Sequence, residues 1–164
     1  MEKWFVFYTK SRQEKKVRDL LTRSGFDVFL PLQKVMRQWS DRRKKVEVPL
    51  FNSYVFVSTT ESRIPLVLQT PGVAWNIRHN DKPAVLHQKE FDLIKQFLLS
   101  GLLIEVSEKI DLEIGDKVEI IDGALKGIRG HLMKTSSGDR FTISFESIGS
   151  SIQIEIDPIV LKRL

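Results

Sequence analysis

Residues 115–134 read GDKVEIIDGALKGIRGHLMK, with four glycines among several charges. Glycine-rich loops that bind phosphate do so by mechanisms that fix their spacing. A P-loop needs Lys and then Ser or Thr directly after its last Gly, for the phosphates and the magnesium. Here Ile128 and Arg129 follow Gly127, and His131 and Leu132 follow Gly130. A dinucleotide fingerprint needs two glycines separated by one residue, which Gly123, Gly127 and Gly130 do not supply. The stretch is therefore not read as a nucleotide site. The absence of Cys excludes disulfides and thiolate metal sites. His79, His87 and His131 show no triad or metal spacing. No Ser, Asp or Glu stands in a recognisable catalytic arrangement, and Asp116 and Asp122 flank turns as caps. No catalytic residue, metal or cofactor is expected, and so no enzyme.

What remains is charge and aromatic side chains. Residues 1–100 carry 18 Lys/Arg against 10 Asp/Glu, a net +8, whereas residues 101–164 carry 8 against 11, a net −3. This asymmetry predicts two domains with different partners, the basic one facing nucleic acid or an acidic protein surface. The densest cluster is Arg42-Arg43-Lys44-Lys45, read either as a solvated hairpin tip or as a phosphate-binding one. Trp39 beside it is read as packing under the hairpin, with stacking on a base as the other option. A hydrophobic fraction of 41% with 29% charged residues marks a globular chain. No apolar run reaches the roughly 20 residues of a membrane helix, and Met1-Glu2-Lys3 leads straight into an aromatic pattern. Neither membrane span nor signal peptide is expected, which makes a cytoplasmic protein the default.

The elements that must position these residues follow from periodicity. WFVFYT (4–9) reads as a buried strand. Ser11 and Glu14 have capping-box spacing. Val17, Leu20 and Leu21 recur at helical spacing before Gly25, so a helix is predicted from about Arg12 to Ser24. Its exposed face would carry Arg12, Lys15, Lys16, Arg18 and Arg23. FDVFLPL (26–32) reads as a strand, the basic tip leads into another at Val46, and SYVFVS (53–58) and VAWNI (73–77) are two more. A short helix fits Ser62–Gln69, and an amphipathic one runs from Gln88 to Gly101. An antiparallel sheet with helices on one face is the natural solution for residues 1–100. Residues 101–111 read as a linker, within which LLIEV is able to pair as a strand. From 112 to 164 the chain holds five short strands, predicting a small β-barrel in which the glycines serve backbone geometry.

These residues resemble known ones. GDKVEIIDGALKGIRGHL resembles a KOW motif, and WFVFYTKSRQEKKV, PLFNSYVFV and TPGVAWNI, followed by Pro83, resemble the N-terminal domain of the NusG family in order and spacing. The short start and YTKSRQ look more like RfaH-type specialised members. The resemblance implies an α+β fold: a ferredoxin-like N-terminal sandwich and a five-stranded, SH3-like KOW barrel. It implies a monomeric factor that binds the clamp helices of the largest subunit of RNA polymerase and modulates elongation, pausing, termination and antitermination. A ribosome- or RNA-binding KOW protein is the rival reading, which the net −3 of residues 101–164 weakens.

The resemblance also implies roles. Tyr8, Phe51, Tyr54 and Phe56 would line the polymerase-binding pocket. Arg42, Arg43, Lys44 and Lys45, with Lys10 and Arg12 at the first strand–helix corner, would contact upstream or non-template DNA. Leu125 and Ile128 in the KOW turn would meet a ribosomal protein or a termination factor. Two departures stand out. Asn52-Ser53 replaces the family's usual Pro-Gly or Pro-Asn, with Asn able to adopt the turn. Leu125 and Ile128 stand where relatives often carry Phe.

Overall fold

The computed structural model describes residues 1–107, 115–136, 138–145 and 147–164. The chain divides into two compact units, Met1–Phe91 and Asp92–Leu164. The first holds β1 (Lys3–Thr9), α1 (Glu14–Arg23), β2 (Asp27–Phe29), β3 (Leu32–Gln38), β4 (Arg43–Pro49), β5 (Tyr54–Thr59), α2 (Ile64–Leu68) and β6 (Val73–Asn76). Three two-residue strands follow: β7 (Arg78–His79), β8 (Lys82–Pro83) and β9 (Val85–Leu86). The next helix, α3 (Gln88–Leu99), contains the unit boundary, ahead of the one read from the sequence at residue 100.

An antiparallel sheet in the order β2-β5-β1-β6, with β9 also on β1, is the main sheet of the first unit, beside the two-stranded pairs β3-β4 and β7-β8. Alternation sorts its side chains. Phe5 and Phe7 of β1 and Val55 and Val57 of β5 face one side and enclose a core with Val17 and Leu21 of α1 and Ile64 and Val67 of α2. Each such side chain contributes about 1.5–3 kcal/mol when fully buried. Trp4, Val6 and Tyr8 alternate onto the opposite side, level with Ser58, Phe56 and Tyr54.

The start of α1 differs from the sequence reading. Arg12 adopts φ +62° and the Gln13 N–H donates to the Lys10 carbonyl (3.1 Å). This turn delays the helix to Glu14, with Gln13 at the cap position and no side-chain cap bond, so the Ser11–Glu14 capping box does not form. The other end is as expected. Gly25 takes φ +90°, and the N–H groups of Gly25 and Phe26 donate to the carbonyls of Thr22 and Leu21, the hydrogen-bond pattern of a Schellman stop.

The second unit holds β10 (Glu105–Ser107), β11 (Lys117–Ile120), β12 (Arg129–Thr135), β13 (Gly138–Phe145), β14 (Ser150–Glu155) and β15 (Leu161–Arg163). All pair antiparallel in the order β10-β14-β13-β12-β11-β15. The five strands expected from the sequence are there, and β10 is a sixth. Residues 105–107 are thus a strand, not linker; residues 108–111 of the expected linker lie outside the described residues. Arg140, buried in β13, fastens β10 through an ion pair with Glu105 (3.1 Å) and reaches Glu155 of β14 at 3.5 Å. The opening glycines serve close approach. A Cβ on Gly115 would collide with the Leu132 carbonyl oxygen, and one on Gly130 would lie 2.6 Å from Phe141 Cζ.

His131 stands directly across the β11–β12 ladder from Lys117. Burial, and secondarily the Lys117 ammonium, hold its pKa below the ordinary 6.5. The unfolded chain therefore takes up the proton first as pH falls through 6.5. Stability is complete above that value and is lost as pH drops toward the folded pKa. Urea midpoints of the second unit should fall between pH 7.5 and 5.5, and His131→Gln should remove this site's share of the drop.

Candidate functional site

Three aromatic side chains meet on the sheet face opposite α1 and α2. Tyr8 sits on β1, flanked by Tyr54 of β5 and Trp75 of β6. The Tyr8 and Trp75 rings stack 4.4 Å apart at 6°, and Tyr54 meets Tyr8 edge-on at 5.6 Å and 83°. Both geometries are the favoured ones for quadrupolar rings. Both tyrosines are half-buried, whereas Trp75 is 54% exposed. The result is an open strip across three adjacent strands, apolar in its faces and polar at the phenol and indole tips.

Phe51 and Phe56, expected to share this surface, are placed otherwise. Both are buried, at 2% and 0% exposure, with their rings 6.2 Å apart. Phe56 also meets Phe29 of β2, which packs against Phe91, itself stacked on Trp4. This half of the face is filled by the protein's own rings, so Phe51 and Phe56 pack beside the strip and present almost no surface of their own. Trp75 belongs to the strip and was not singled out in the sequence. By strict alternation it shares the face of the buried Val73. The register shifts between Tyr8 and Thr9, pairing Thr9 with Val73 but Tyr8 with Trp75. Such a bulge turns the following side chain to the other face.

The turn into β5 is built on Ser53, not Asn52. Ser53 has φ +66°, and its carbonyl accepts the Thr9 N–H at 2.7 Å. A left-handed backbone costs an L-residue about 1–2 kcal/mol, of which glycine's larger folding entropy returns roughly half. Ser53→Gly should raise the stability of the first unit by about 0.5–1 kcal/mol, read as a higher urea midpoint. An unchanged midpoint would show that the turn carries no strain.

The expected nucleic-acid contacts are all exposed: Lys10 and Arg12 at the corner between β1 and α1, and Arg42, Arg43, Lys44 and Lys45 at the tip of the β3–β4 ribbon. Trp39 is not packed beneath that tip; it is 44% exposed there. Lys15 of α1 donates to the Glu47 carbonyl of β4 at 2.7 Å, joining the basic face of α1 to the ribbon. In the second unit, Leu125 and Ile128 are buried, which removes them as a contact surface. Their turn folds inward because the Gly127 N–H donates to Ile120 (2.7 Å) and the Ile120 N–H to Ile128 (2.9 Å). Ile121 and Ile159 are the exposed apolar side chains of that region, at 42% and 80%. No cluster of His, Asp or Glu able to hold a metal occurs among the described residues.

The sequence profile described as "Transcription termination factor nusG" matches residues 2–95. The chain is 29% identical to the transcription termination/antitermination protein NusG of Lactococcus lactis, over 94% of this chain and 89% of that protein. It is 30% identical to the protein of the same name in Streptococcus pyogenes, over 94% and 92%. A solved structure described as "Domain interaction in Thermotoga maritima NusG" superposes with a TM-score of 0.60 at 18% identity, covering 100% of this chain and 98% of that one. At that identity the structural likeness speaks for the fold, and the profile carries the assignment: this chain belongs to the NusG family.

Proposed function

We propose that the protein is a transcription elongation and antitermination factor that docks on RNA polymerase through the strip Tyr54–Tyr8–Trp75, without catalysis of its own. The observation that carries this reading is the strip itself, three rings from adjacent strands left open on an otherwise covered face. Its partner is the helical hairpin of the clamp in the largest polymerase subunit. Aromatic anchors of this type supply most of the energy in protein interfaces. The exposed cations Lys10, Arg12, Arg42, Arg43, Lys44 and Lys45 face upstream or non-template DNA. Their contribution fades with salt as released counterions are replaced. A factor bound in this way disfavours pausing and termination because it holds the closed clamp better than the open one. The second unit recruits a further protein through a surface other than Leu125 and Ile128, with Ile121 and Ile159 as its exposed apolar candidates.

The test is in vitro transcription by purified bacterial RNA polymerase with the full-length protein added. Binding to core polymerase and altered pause lifetimes or terminator read-through are expected. A protein that neither binds polymerase nor changes either readout overturns the proposal.

A further inference from the structure

Among the described residues, strands β3 and β4 pair only with each other, from Leu32↔Pro49 to Gln38↔Arg43. Seven residues of strand make a ribbon about 20 Å long. At its tip, Trp39 to Arg42 form a four-residue loop closed by Trp39 N–H donating to the Arg42 carbonyl at 2.8 Å. The Gln38 side-chain amide donates to the Trp39 carbonyl at 2.9 Å. The backbone of Trp39 is thus held from both sides while its indole stays 44% exposed.

The ladder register decides what accompanies that ring. Side chains of one ribbon face alternate, so Arg37 and its partner Lys44 share a face. Trp39, two residues beyond Arg37, joins them. The Arg42 guanidinium carbon lies 5.4 Å and the Lys44 ammonium 6.0 Å from the indole centroid. One exposed aromatic ring is therefore flanked by two exposed cations, Arg42 and Lys44, with exposed Arg37 paired to Lys44 one step back along the ladder and Asp41 as the loop's own acid.

We propose that this ribbon face binds single-stranded nucleic acid, with Trp39 as a platform for one unpaired base and Arg37, Arg42 and Lys44 on the adjoining phosphates. The inference rests on the reading of the basic ribbon as facing nucleic acid and names what it takes. Cations alone serve a duplex and a single strand alike. An exposed indole does not: duplex bases are stacked on one another, and only an unpaired base presents a free face to it. A groove of positive charge with an aromatic platform is the arrangement that binds single strands with little sequence preference.

Full-length protein is titrated by fluorescence anisotropy against a labelled oligodeoxythymidylate of about 12 nucleotides, within the usual site sizes, and against a duplex of equal length, at several salt concentrations. Trp39→Ala should weaken single-strand binding about 10-fold or more, as loss of one stacked base does. It should leave duplex binding and both salt slopes unchanged, and Trp39→Phe should retain most of the affinity. Arg37→Gln and Lys44→Gln should each reduce the single-strand slope by about 0.7, the share of one phosphate. Single-strand affinity within about twofold of wild type for Trp39→Ala, against the loss stacking requires, overturns the proposal. If the charge variants still weaken both probes, the nucleic-acid role of the ribbon stands without it. If no variant changes binding to either probe, both readings fall. Trp39-dependent binding of phosphatidylserine vesicles without oligonucleotide binding also overturns the proposal and assigns the ribbon to a lipid surface.

Discussion

Replacing Tyr8 and Trp75 together by alanine is expected to weaken binding to core RNA polymerase by about 100-fold or more while the first unit stays folded. The magnitude follows from aromatic anchors at interface centres, whose truncation costs about 2 kcal/mol or more each, discounted because neighbouring truncations are not additive. Tyr8 is the centre of the strip, in contact with both other rings, and Trp75 is its most exposed member. Neither ring belongs to the core between the sheet and α1 and α2, so their loss leaves that core intact. Phe51 and Phe56 lack this separation. Truncating a fully buried phenylalanine costs about 3–5 kcal/mol, so a loss of binding there reports a damaged fold as readily as a lost contact. Urea midpoints measured beside binding isotherms separate the two cases. A Tyr8→Ala/Trp75→Ala protein that is folded and binds polymerase within about threefold of wild type, far short of an anchor's share, removes the strip as the docking surface.

The difference between the expected and the observed surface shows which parts of the site are written locally. Tyr8 and Tyr54 were assigned to a surface by the family resemblance and by a phenol tip that suits a site both apolar and wet; the continuous apolar runs of their strands do not by themselves separate the two faces of the sheet. Phe56 lies on the same face, yet it is buried. Its cover comes from Phe29, backed by Phe91, distant residues whose arrival no local pattern announces. Trp75 was hidden for a different reason, since one bulge reverses the parity of everything after it. The capping box at Ser11 failed because a turn at Arg12 displaced the helix start. The barrel turn failed in the opposite direction to Trp39: Leu125 and Ile128 were expected on the surface and fold inward, whereas Trp39 was expected beneath its hairpin and stands on top. Strands and helices were readable because their signal is periodic and repeated. Turn residues have no such repetition, and their orientation is set by a few backbone hydrogen bonds.

One turn residue has consequences large enough to measure alone. Gly72 is expected to tolerate a side chain poorly: Gly72→Ala should cost the first unit about 2–4 kcal/mol, a large share of the 5–15 kcal/mol that holds an ordinary domain together. Two effects add. The residue has φ +96°, where an L-residue pays about 1–2 kcal/mol. The new methyl would also lie 2.7 Å from Val17 Cγ2 and 2.8 Å from Gln13 Oε1, and overpacking of this kind costs about 1–3 kcal/mol. Val17 is fully buried in the core, so it has little room to retreat. The Gly72 carbonyl accepts the Lys10 N–H at 2.8 Å, so any shift that relieves the clash is transmitted to the corner between β1 and α1. From there it reaches Tyr8 and, through β6, Trp75. Gly25 supplies the control. Its φ is +90°, yet a Cβ there meets nothing within 4 Å, so Gly25→Ala should lose only the net backbone part, about 0.5–1 kcal/mol after the entropy that alanine saves. The gap between the two urea midpoints isolates the cost of packing α1 against the start of β6. Equal losses in both variants would mean that the helix yields to the extra methyl, and that the close approach at Gly72 does not fix the corner on which the strip is built.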